Sequence, residues 1–541
     1  MPDAVVIGAG PNGLVAANML ASAGWRVVVL EAQETPGGAV KSAEVTAPGF
    51  LSDLYSSFYP LGLASPALRA LRLEEHGLRW LHAPAVLAHP TPDGRCALLS
   101  RDIEQTAASL DEYAAGDGIA WRRLFERWQQ VRDPLIDALF TPFPPVLAGI
   151  RLAAALRLGG GVRFARFALT PVRRLAEEEF RGAGGGLLLA GNALHTDVPP
   201  DAAGSGIFGW LLTMLGQEVG FPVPAGGAGS LTGALVRRLV ANGGEVHCGA
   251  TVTSVLLRGG RAVGVRMADG TEIEATKAVL ADVSAPQLYL DLLGADLLPP
   301  QLGADLSRFE WDHATVKIDW ALRAPIPWLA EPARQAGTVH IAESIDEMTR
   351  YAADLATSRV PTIPFVLVGQ LTTADPSRSP AGTESAWAYT HVPQHPRSTD
   401  QGKGGGWDDA AVEVVVRRVQ ARIETLAPGF GALVVGTHVQ GPAKFQAADA
   451  NLRGGAINAG TAALHQQLVF RPLPGLARPE TFIPGLFLAS ASAHPGGGVH
   501  GAPGANAALA ALATARPFRR FLTLAAATAH RRIAKGDGRF S

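Results

Sequence analysis

Three observations in the 541-residue sequence predict an α/β fold. The chain opens on a strand, glycine turn, helix and second strand between Asp3 and Gly38. A glycine turn leads into an amphipathic helix again at Ala225 to Leu239, and a strand, glycine loop and small-residue helix run from Leu486 to Thr514. Between these stretches the rhythm changes, first to helix-prone sequence broken by prolines and then to a run of strands. Together they predict a two-dinucleotide-binding (Rossmann-like) domain assembled from three separated segments, with a mixed β-sheet plus helical lobe built from what lies between.

Each part of the first unit has a physical task. Ala4 to Ile7 is a short apolar, β-branched strand, followed by Gly8, Gly10 and Gly13 in G-x-G-x-x-G spacing. Gly8 permits the tight turn, Gly10 lets the backbone approach a pyrophosphate, and Gly13 lets the helix Leu14 to Ala23 pack close to the strand. Pro11 and Asn12 lie in the turn before that helix as candidate cofactor contacts, and the helix N-terminus offers unpaired N–H groups and a positive dipole end to phosphates. Gly24 ends the helix, and Arg26 to Leu30 is the second strand. Glu31, at its end and followed by Ala32, is placed to accept hydrogen bonds from adenosine ribose hydroxyls and disfavours a 2′-phosphate. A glycine-rich strand-to-helix turn without a ligand is the plain alternative. The strand before, the helix after and the acid at the second strand's end favour the dinucleotide. Gly37-Gly38, followed by Ala39, forms a second place where backbone can approach a pyrophosphate.

Composition narrows the class. Hydrophobic residues make up 47% and charged ones 18%, so the chain is globular, with length enough for two or three domains. A formal net charge of −1 gives no pull toward nucleic acid. Cys96 and Cys248 are the only cysteines and lie far apart, so neither a redox dithiol nor a metal site is expected, and a reduced cytoplasmic compartment fits. The first strand begins at once, without a secretory signal, and no run of eighteen apolar residues predicts a transmembrane helix.

Asp53 to Tyr59 has loop or short-strand character, and Ala64 to Leu73 and Arg101 to Tyr113 read as helices. Phe125 to Phe180 is helix-prone and broken by Pro134, Pro142, Pro144, Pro145 and Pro171. Within it, Leu135 to Leu175 carries Arg151, Arg157, Arg163, Arg166, Arg173 and Arg174, with Asp137 as its only acid. That is either a solvated basic face or a surface that touches anionic lipid or admits a greasy substrate. From Glu245 the chain alternates strands and turns, with Asp269-Gly270 as a type I′ hairpin signal and Ala278 to Ala281 as a closing parallel strand. Val252 sits where a backbone contact to adenine would come from. Ala314 to Leu322, Val339 to Ala342, Phe365 to Thr372 and Trp387 to Val392 read as strands of a mixed sheet, with a helix at Ala410 to Leu426 and a glycine loop at Gly402 to Gly406. After the strand Leu486 to Ala489, Ser492 to Gly504 reads SAHPGGGVHGAPG, and a helix from Ala505 to Thr514 makes a second anion-binding device. Gly496, Gly497, Gly498 and Val499 are its candidate cofactor contacts. A single NAD domain needs only the first glycine segment; three point to FAD.

The expected division is 1–62, 225–289 and 441–515 for the nucleotide domain, 63–224 for a helical substrate lobe, 290–440 for a mixed-sheet substrate domain, and 516–541 for a basic tail.

The segments GAGPNGLVAANMLASAGWRVVVLEAQETPGG, PAGGAGSLTGALVRRLVANGGEVHCGATVTSVL and GLFLASASAHPGGGVHGAPGANAA resemble the phytoene desaturase-like branch of the FAD-dependent amine oxidase superfamily. Asn451 to Gly475 is similar to bacterial relatives of pyridine nucleotide-disulfide oxidoreductase domain-containing protein 2, although no redox dithiol is present here. Two positions depart from the pattern: Ala39 stands where arginine often follows the glycine pair, and Ala489-Ser490-Ala491 where many relatives carry glycine or aspartate. The resemblance implies an extended FAD whose flavin is buried against the substrate lobe. It also implies two-electron oxidation of a hydrophobic small molecule with hydride delivered to flavin N5, and it leaves the electron acceptor open.

His494 and His500 flank the three glycines and are the candidate acid–base groups, against the alternative that each braces the loop. Lys317, on a predicted strand, is conceivable as the lysine with which some amine oxidases hold a water near N5. His195 and Asp197 either line the substrate lobe or belong to an ordinary loop. Three functions compete: a desaturase or dehydrogenase, an amine oxidase, and a non-catalytic flavoprotein that serves as an interaction partner. A monooxygenase would carry an Asp-Gly or Gly-Asp pair in Leu486 to Ala493, which has none. Peripheral membrane contact goes with the greasy-substrate reading.

Overall fold

The computed structural model describes residues 1–397 and 406–515, so the expected basic tail and nearly all of the Gly402–Gly406 loop lie outside the described residues. The nucleotide domain is a five-stranded sheet. Its strands are β1 (Ala4–Ile7), β2 (Val27–Leu30), β3 (Glu245–His247), β4 (Ala278–Ala281) and β5 (Leu486–Leu488), in the order β5-β4-β1-β2-β3 and parallel throughout. Its central strands are apolar runs without alternation, as burial on both faces requires. One face packs on α1 (Pro11–Ser22), α2 (Gly229–Ala241) and α3 (Ala502–Thr514) through small residues such as Ala17, Ala234 and Ala508. The other face packs on a three-stranded antiparallel sheet, Val252–Arg258, Arg261–Met267 and Glu272–Glu274, through Val255, Ala262 and Val265.

Three local expectations need correction. Both α1 and α3 begin three residues earlier than expected, because Pro11 and Pro503 open the first turn of each, where the missing proline N–H costs nothing. The Asp269-Gly270 hairpin is not type I′, since only Gly270 (φ +85°) has left-handed backbone. Its N–H bonds the Met267 carbonyl at 3.0 Å, and the turn is carried by one glycine rather than two left-handed residues.

The second sheet has seven strands in the order Val434–Gln440, Ala314–Leu322, Glu384–Val392, Val366–Gln370, Ala336–Ile341, Ala85–Pro90, Cys96–Leu99. Only the pair Ala336–Ile341 with Ala85–Pro90 is parallel. The last two strands come from the stretch expected to be helical. They are short, almost wholly buried apolar runs, and neither alternates, so no period marked them.

Helices Asp117–Phe140, Val146–Leu169, Ala183–His195 and Ser205–Val219 cover one face of this sheet. Pro134 does not break the first of them as expected: the apolar stripe of Trp121, Leu124, Trp128, Val131, Ile136 and Phe140 carries the helix across it. Packing of that stripe offsets the roughly 3 kcal/mol a mid-helix proline costs. His195 ends a helix rather than sitting in a loop. The basic stretch is also less bare than its sequence suggests. Arg151 pairs with Asp137, Arg166 with Glu178, Arg173 with Asp201 and Asp346, and Arg174 with Glu177 and Glu178. The Val146–Leu169 helix also exposes apolar side chains, Val146, Leu147, Ile150, Val162 and Leu169, beside the exposed Arg151, Arg163 and Arg166. Among the described residues no helix is long and apolar enough to cross a membrane.

Candidate functional site

One cleft lies outside the carboxyl ends of β1, β2, β4 and β5, where open α/β sheets bind ligands. Gly8, Gly10, Pro11, Asn12, Glu31, Ala32, Gly38, Ala39, Val252, Gly496, Gly497, Gly498 and Val499 line it, so the structure brings together three chain segments that the sequence placed apart. Gly13 and Gly37 stand behind the lining. A Cβ added at Gly13 would lie 2.2 Å from the Gly8 carbonyl oxygen, so Gly13 serves close packing of helix on strand, as its spacing predicts. The Gly37 N–H donates to the Ala9 carbonyl at 2.9 Å, closing the second glycine pair onto the first turn.

The N-termini of α1 and α3 meet at this cleft. A Cβ added at Gly504 would fall 1.9 Å from the Asn12 carbonyl oxygen, and one at Gly501 2.6 Å from a Val15 methyl. Two positive dipole ends are thereby aimed at the same space. Glu31 is buried; its carboxylate accepts from the Ala9 N–H at 2.7 Å and the Gln33 N–H at 2.9 Å. It fixes the glycine turn to the end of β2 while facing the cleft.

The glycines of the C-terminal loop line the cleft and also serve packing behind it. Their missing side chains make room for protein: added Cβ atoms would meet Arg471 at Gly496 (3.2 Å), Asn458 at Gly497 (2.8 Å) and Leu61 at Gly498 (2.8 Å). Gly496 and Gly498 also have φ near +118°, which side chains rarely adopt. Val499 takes φ +51° despite its branched Cβ, a strained conformation of the kind that clusters at binding sites.

The two histidines are not equally placed. His500 is 3% exposed, donates from Nε2 to the Gly497 carbonyl at 3.1 Å and accepts at Nδ1 from the Ala502 N–H at 3.2 Å. Both nitrogens are spent on backbone, the ring packs on Phe140, and burial lowers the pKa to about 4. This geometry fits loop bracing rather than acid–base work. His494 is neutral for the same reason, near the Leu139 and Thr141 carbonyls without a hydrogen bond of normal geometry. Neither lines the cleft. Lys317 is 2% exposed and ion-paired with Asp319 on the face of the seven-stranded sheet that carries Trp387 and Tyr389. Asp197 accepts from the His313 N–H and ring Nδ1, anchoring the strand that carries Lys317. His195 stacks edge-on against His340 and Tyr389.

Two groups escaped the sequence. Asp282 leaves β4 into the cleft, where its Oδ2 accepts from the Gly13 N–H at 2.7 Å and would lie 2.7 Å from a Cβ at Gly10. Its carboxyl caps α1 where a phosphate was expected. Burial pushes its pKa up to about 8, with the nearby Asp449 and Glu31 carboxylates adding to the rise, so it is neutral at pH 7. An acid at the carboxyl end of a parallel strand was the available signal. Arg471, buried behind Gly496, had none.

These residues fit FAD. The donors are backbone N–H groups at two helix ends, glycines form the walls, and the buried Gln287 Oε1 in the cleft lining lacks a hydrogen-bond partner. No lysine or arginine is among the lining residues described, so a pyrophosphate here would be neutralised by dipoles. Fold and cleft together define a dinucleotide-binding flavoprotein. The family model for flavin containing amine oxidoreductases matches residues 12–316, more than half of the chain, and the chain belongs to that family. Its cofactor is FAD, and it falls in the phytoene desaturase-like branch.

Pyridine nucleotide-disulfide oxidoreductase domain-containing protein 2 of Rattus norvegicus is 28% identical over 94% of this chain and 92% of its own. The lycopene-forming phytoene desaturase of Pseudescherichia vulneris is 27% identical over 95% and 99%. The crystal structure of an oxidoreductase from Methanosarcina mazei shares the fold, with a TM-score of 0.61 at 16% identity over 94% and 99%.

Proposed function

We propose that this FAD-dependent oxidoreductase is a desaturase or dehydrogenase of a hydrophobic small molecule. The flavin lies against Gly496–Val499, Glu31 faces the adenosine ribose, and Val252 faces the adenine. The observation that carries the reading is the contact between the C-terminal loop and the apolar helical lobe. Leu61 sits against Gly498, and Phe140, which shares a core with Trp121, Trp128 and Trp210, packs on His500. A substrate reaching this end of the cleft from the lobe passes apolar side chains. When bound, FAD supplies two-electron acceptance at N5. The chain's own residues hold the cofactor, exclude water and leave no charged acid or base at the loop, which suits hydride removal from carbon.

The exposed apolar side chains of the Val146–Leu169 helix form the surface for peripheral membrane contact, with the exposed Arg151, Arg163 and Arg166 on the same helix. An amine oxidase is the second reading, favoured by Lys317 beside the stacked Trp387–Tyr389 pair. Anaerobic bleaching of the flavin against polyenes, other isoprenoid-like hydrocarbons and primary amines decides. Bleaching by hydrocarbons is expected. Bleaching by amines alone favours the second reading, and none by any class favours the non-catalytic flavoprotein.

Asp282 gives the site a pH dependence whose sign follows from charge. A pyrophosphate beside Asp282 favours the protonated carboxyl, so the holoprotein holds that proton more tightly than the apoprotein. FAD affinity should therefore be flat below about pH 8 and fall above it, by up to about tenfold per pH unit. Asp282→Asn keeps an acceptor for the Gly13 N–H and should remove the dependence. Fluorescence titration of apoprotein with FAD between neutral and alkaline pH checks both, and a wild-type affinity flat through the alkaline range would place the phosphates away from Asp282.

A further inference from the structure

Two arginines are buried to the same depth, Arg378 at 0% exposure and Arg471 at 1%. Arg378 has its counter-charge in the Asp53 carboxylate, 2.7 Å away. Arg471 has no carboxylate within ion-pair distance among the described residues. Its guanidinium donates only to carbonyl oxygens: Asn458 at 2.8 Å, Thr461 at 2.9 Å, Ala491 at 2.8 Å and, at 3.4 Å, Gly460. Carbonyls satisfy N–H donors but do not neutralise the charge, and an uncompensated cation out of water is strongly unfavourable. The groups around it supply the balance only in part. The Asp312 carboxylate, whose oxygens accept from the Ile457, Asn458 and Gly460 N–H groups, is within electrostatic reach and favours the charged guanidinium, but it makes no ion pair with Arg471. His494 and His500 are neutral.

The place of this charge is specific. The carbonyls that hold it belong to Asn458, Gly460, Thr461 and Ala491, and Ala491 and the intervening Ala459 are in the wall of the cleft. Gly496, also in that wall, lies on the guanidinium, its added Cβ only 3.2 Å from Arg471 Cζ. One peptide separates the cation from the cleft, and no cation lines the cleft itself among the residues described.

We propose that the missing counter-charge is the cofactor's: Arg471 is a positioning residue that, across the Gly496 peptide, stabilises negative charge on the flavin and so favours reduced over oxidised FAD. This rests on the placement of the flavin against Gly496–Val499.

Redox titration of the holoenzyme against a reference dye tests it. Bound FAD in the wild type is expected to be easier to reduce than free FAD. Arg471→Met is expected to move the reduced-to-oxidised equilibrium at least tenfold toward oxidised, about 30 mV per tenfold for two electrons. Arg471→Lys keeps the charge but forfeits most of the carbonyl bonds, so it should lose thermal stability while staying within about threefold of wild type. A mere staple between the two backbone segments would cost both variants stability and leave both equilibria unmoved, which overturns the proposal. Should Arg471→Met not retain FAD, the wild type decides: bound FAD no easier to reduce than free FAD overturns it. Val499→Gly separates the two layers, because glycine accepts the left-handed backbone there. A flavin spectrum changed by Val499→Gly with an unmoved equilibrium in Arg471→Met removes Arg471's role alone. An unchanged spectrum removes the flavin placement and the proposal with it.

Discussion

Gly504→Ala is expected to leave the chain without FAD and to destabilise it by about 1–3 kcal/mol or more, the scale of overpacking in a tight core. The added methyl would sit 1.9 Å from the Asn12 carbonyl oxygen, 2.7 Å from its carbon and 3.0 Å from its Cα. All three are backbone atoms, so no side-chain rotation relieves the contact. The N-termini of α1 and α3 must separate, and with them the two sets of N–H groups that face the cleft. Gly303→Ala is the control. It too lies in a helix, Pro300–Leu306, but an added Cβ meets nothing within 4 Å, and alanine is the better helix former there by roughly 1 kcal/mol. Thermal melting and flavin content of the two purified variants check the prediction; a Gly504→Ala protein with full FAD and an unchanged melting temperature would contradict it.

Arg378→Met should cost about 3–5 kcal/mol, the scale for removing one partner of a buried ion pair. Asp53 would remain with its Oδ1 accepting from Ser42 Oγ at 2.6 Å and the Ala228 N–H at 2.8 Å, both in the nucleotide domain. Arg378 belongs to the other domain's sheet region and also donates to the Leu51 carbonyl at 3.2 Å. The pair therefore joins the glycine turn before α2 to the lobe that carries Lys317 and Asp319, and Asp319 feels both charges. Denaturant unfolding measures the loss. The double variant with Asp53→Asn should recover part of it, because the stranded charge is gone while the backbone contacts persist. Equal losses in the single and double variants would show that the destabilisation comes from packing, not from the uncompensated carboxylate.

The nucleotide domain was legible because each of its central strands is an apolar run that stops at a glycine or an acid. Ala278–Ala281, and in the other sheet Ala314–Leu322, were found to the residue. The helices Ala183–His195 and Ser205–Val219 were not, since both are apolar nearly all round and show no face. The glycines at 184 and 185 are needed because added Cβ atoms would strike Tyr113 at 2.7 Å and Phe180 at 2.6 Å. Within the cleft, G-x-G-x-x-G spacing and Glu31 identified one wall. Asp282 lies 269 residues from the Gly13 N–H it caps, and that contact exists only once the sheet has formed. The sequence assigned Gly496–Gly498 to close approach by a cofactor; they line the cleft, and what it could not show is that their bare α-carbons also make room for Arg471, Asn458 and Leu61. A glycine loop announces that something comes close; only the fold says what.

The most direct measurement is release of the bound cofactor by heat, its identification by mass, and its ratio to protein in the same sample. Three glycine segments converging on one cleft should yield one FAD per chain, held without a covalent bond. NAD in its place, or no cofactor from a chain that melts cooperatively, would contradict the assignment of this cleft.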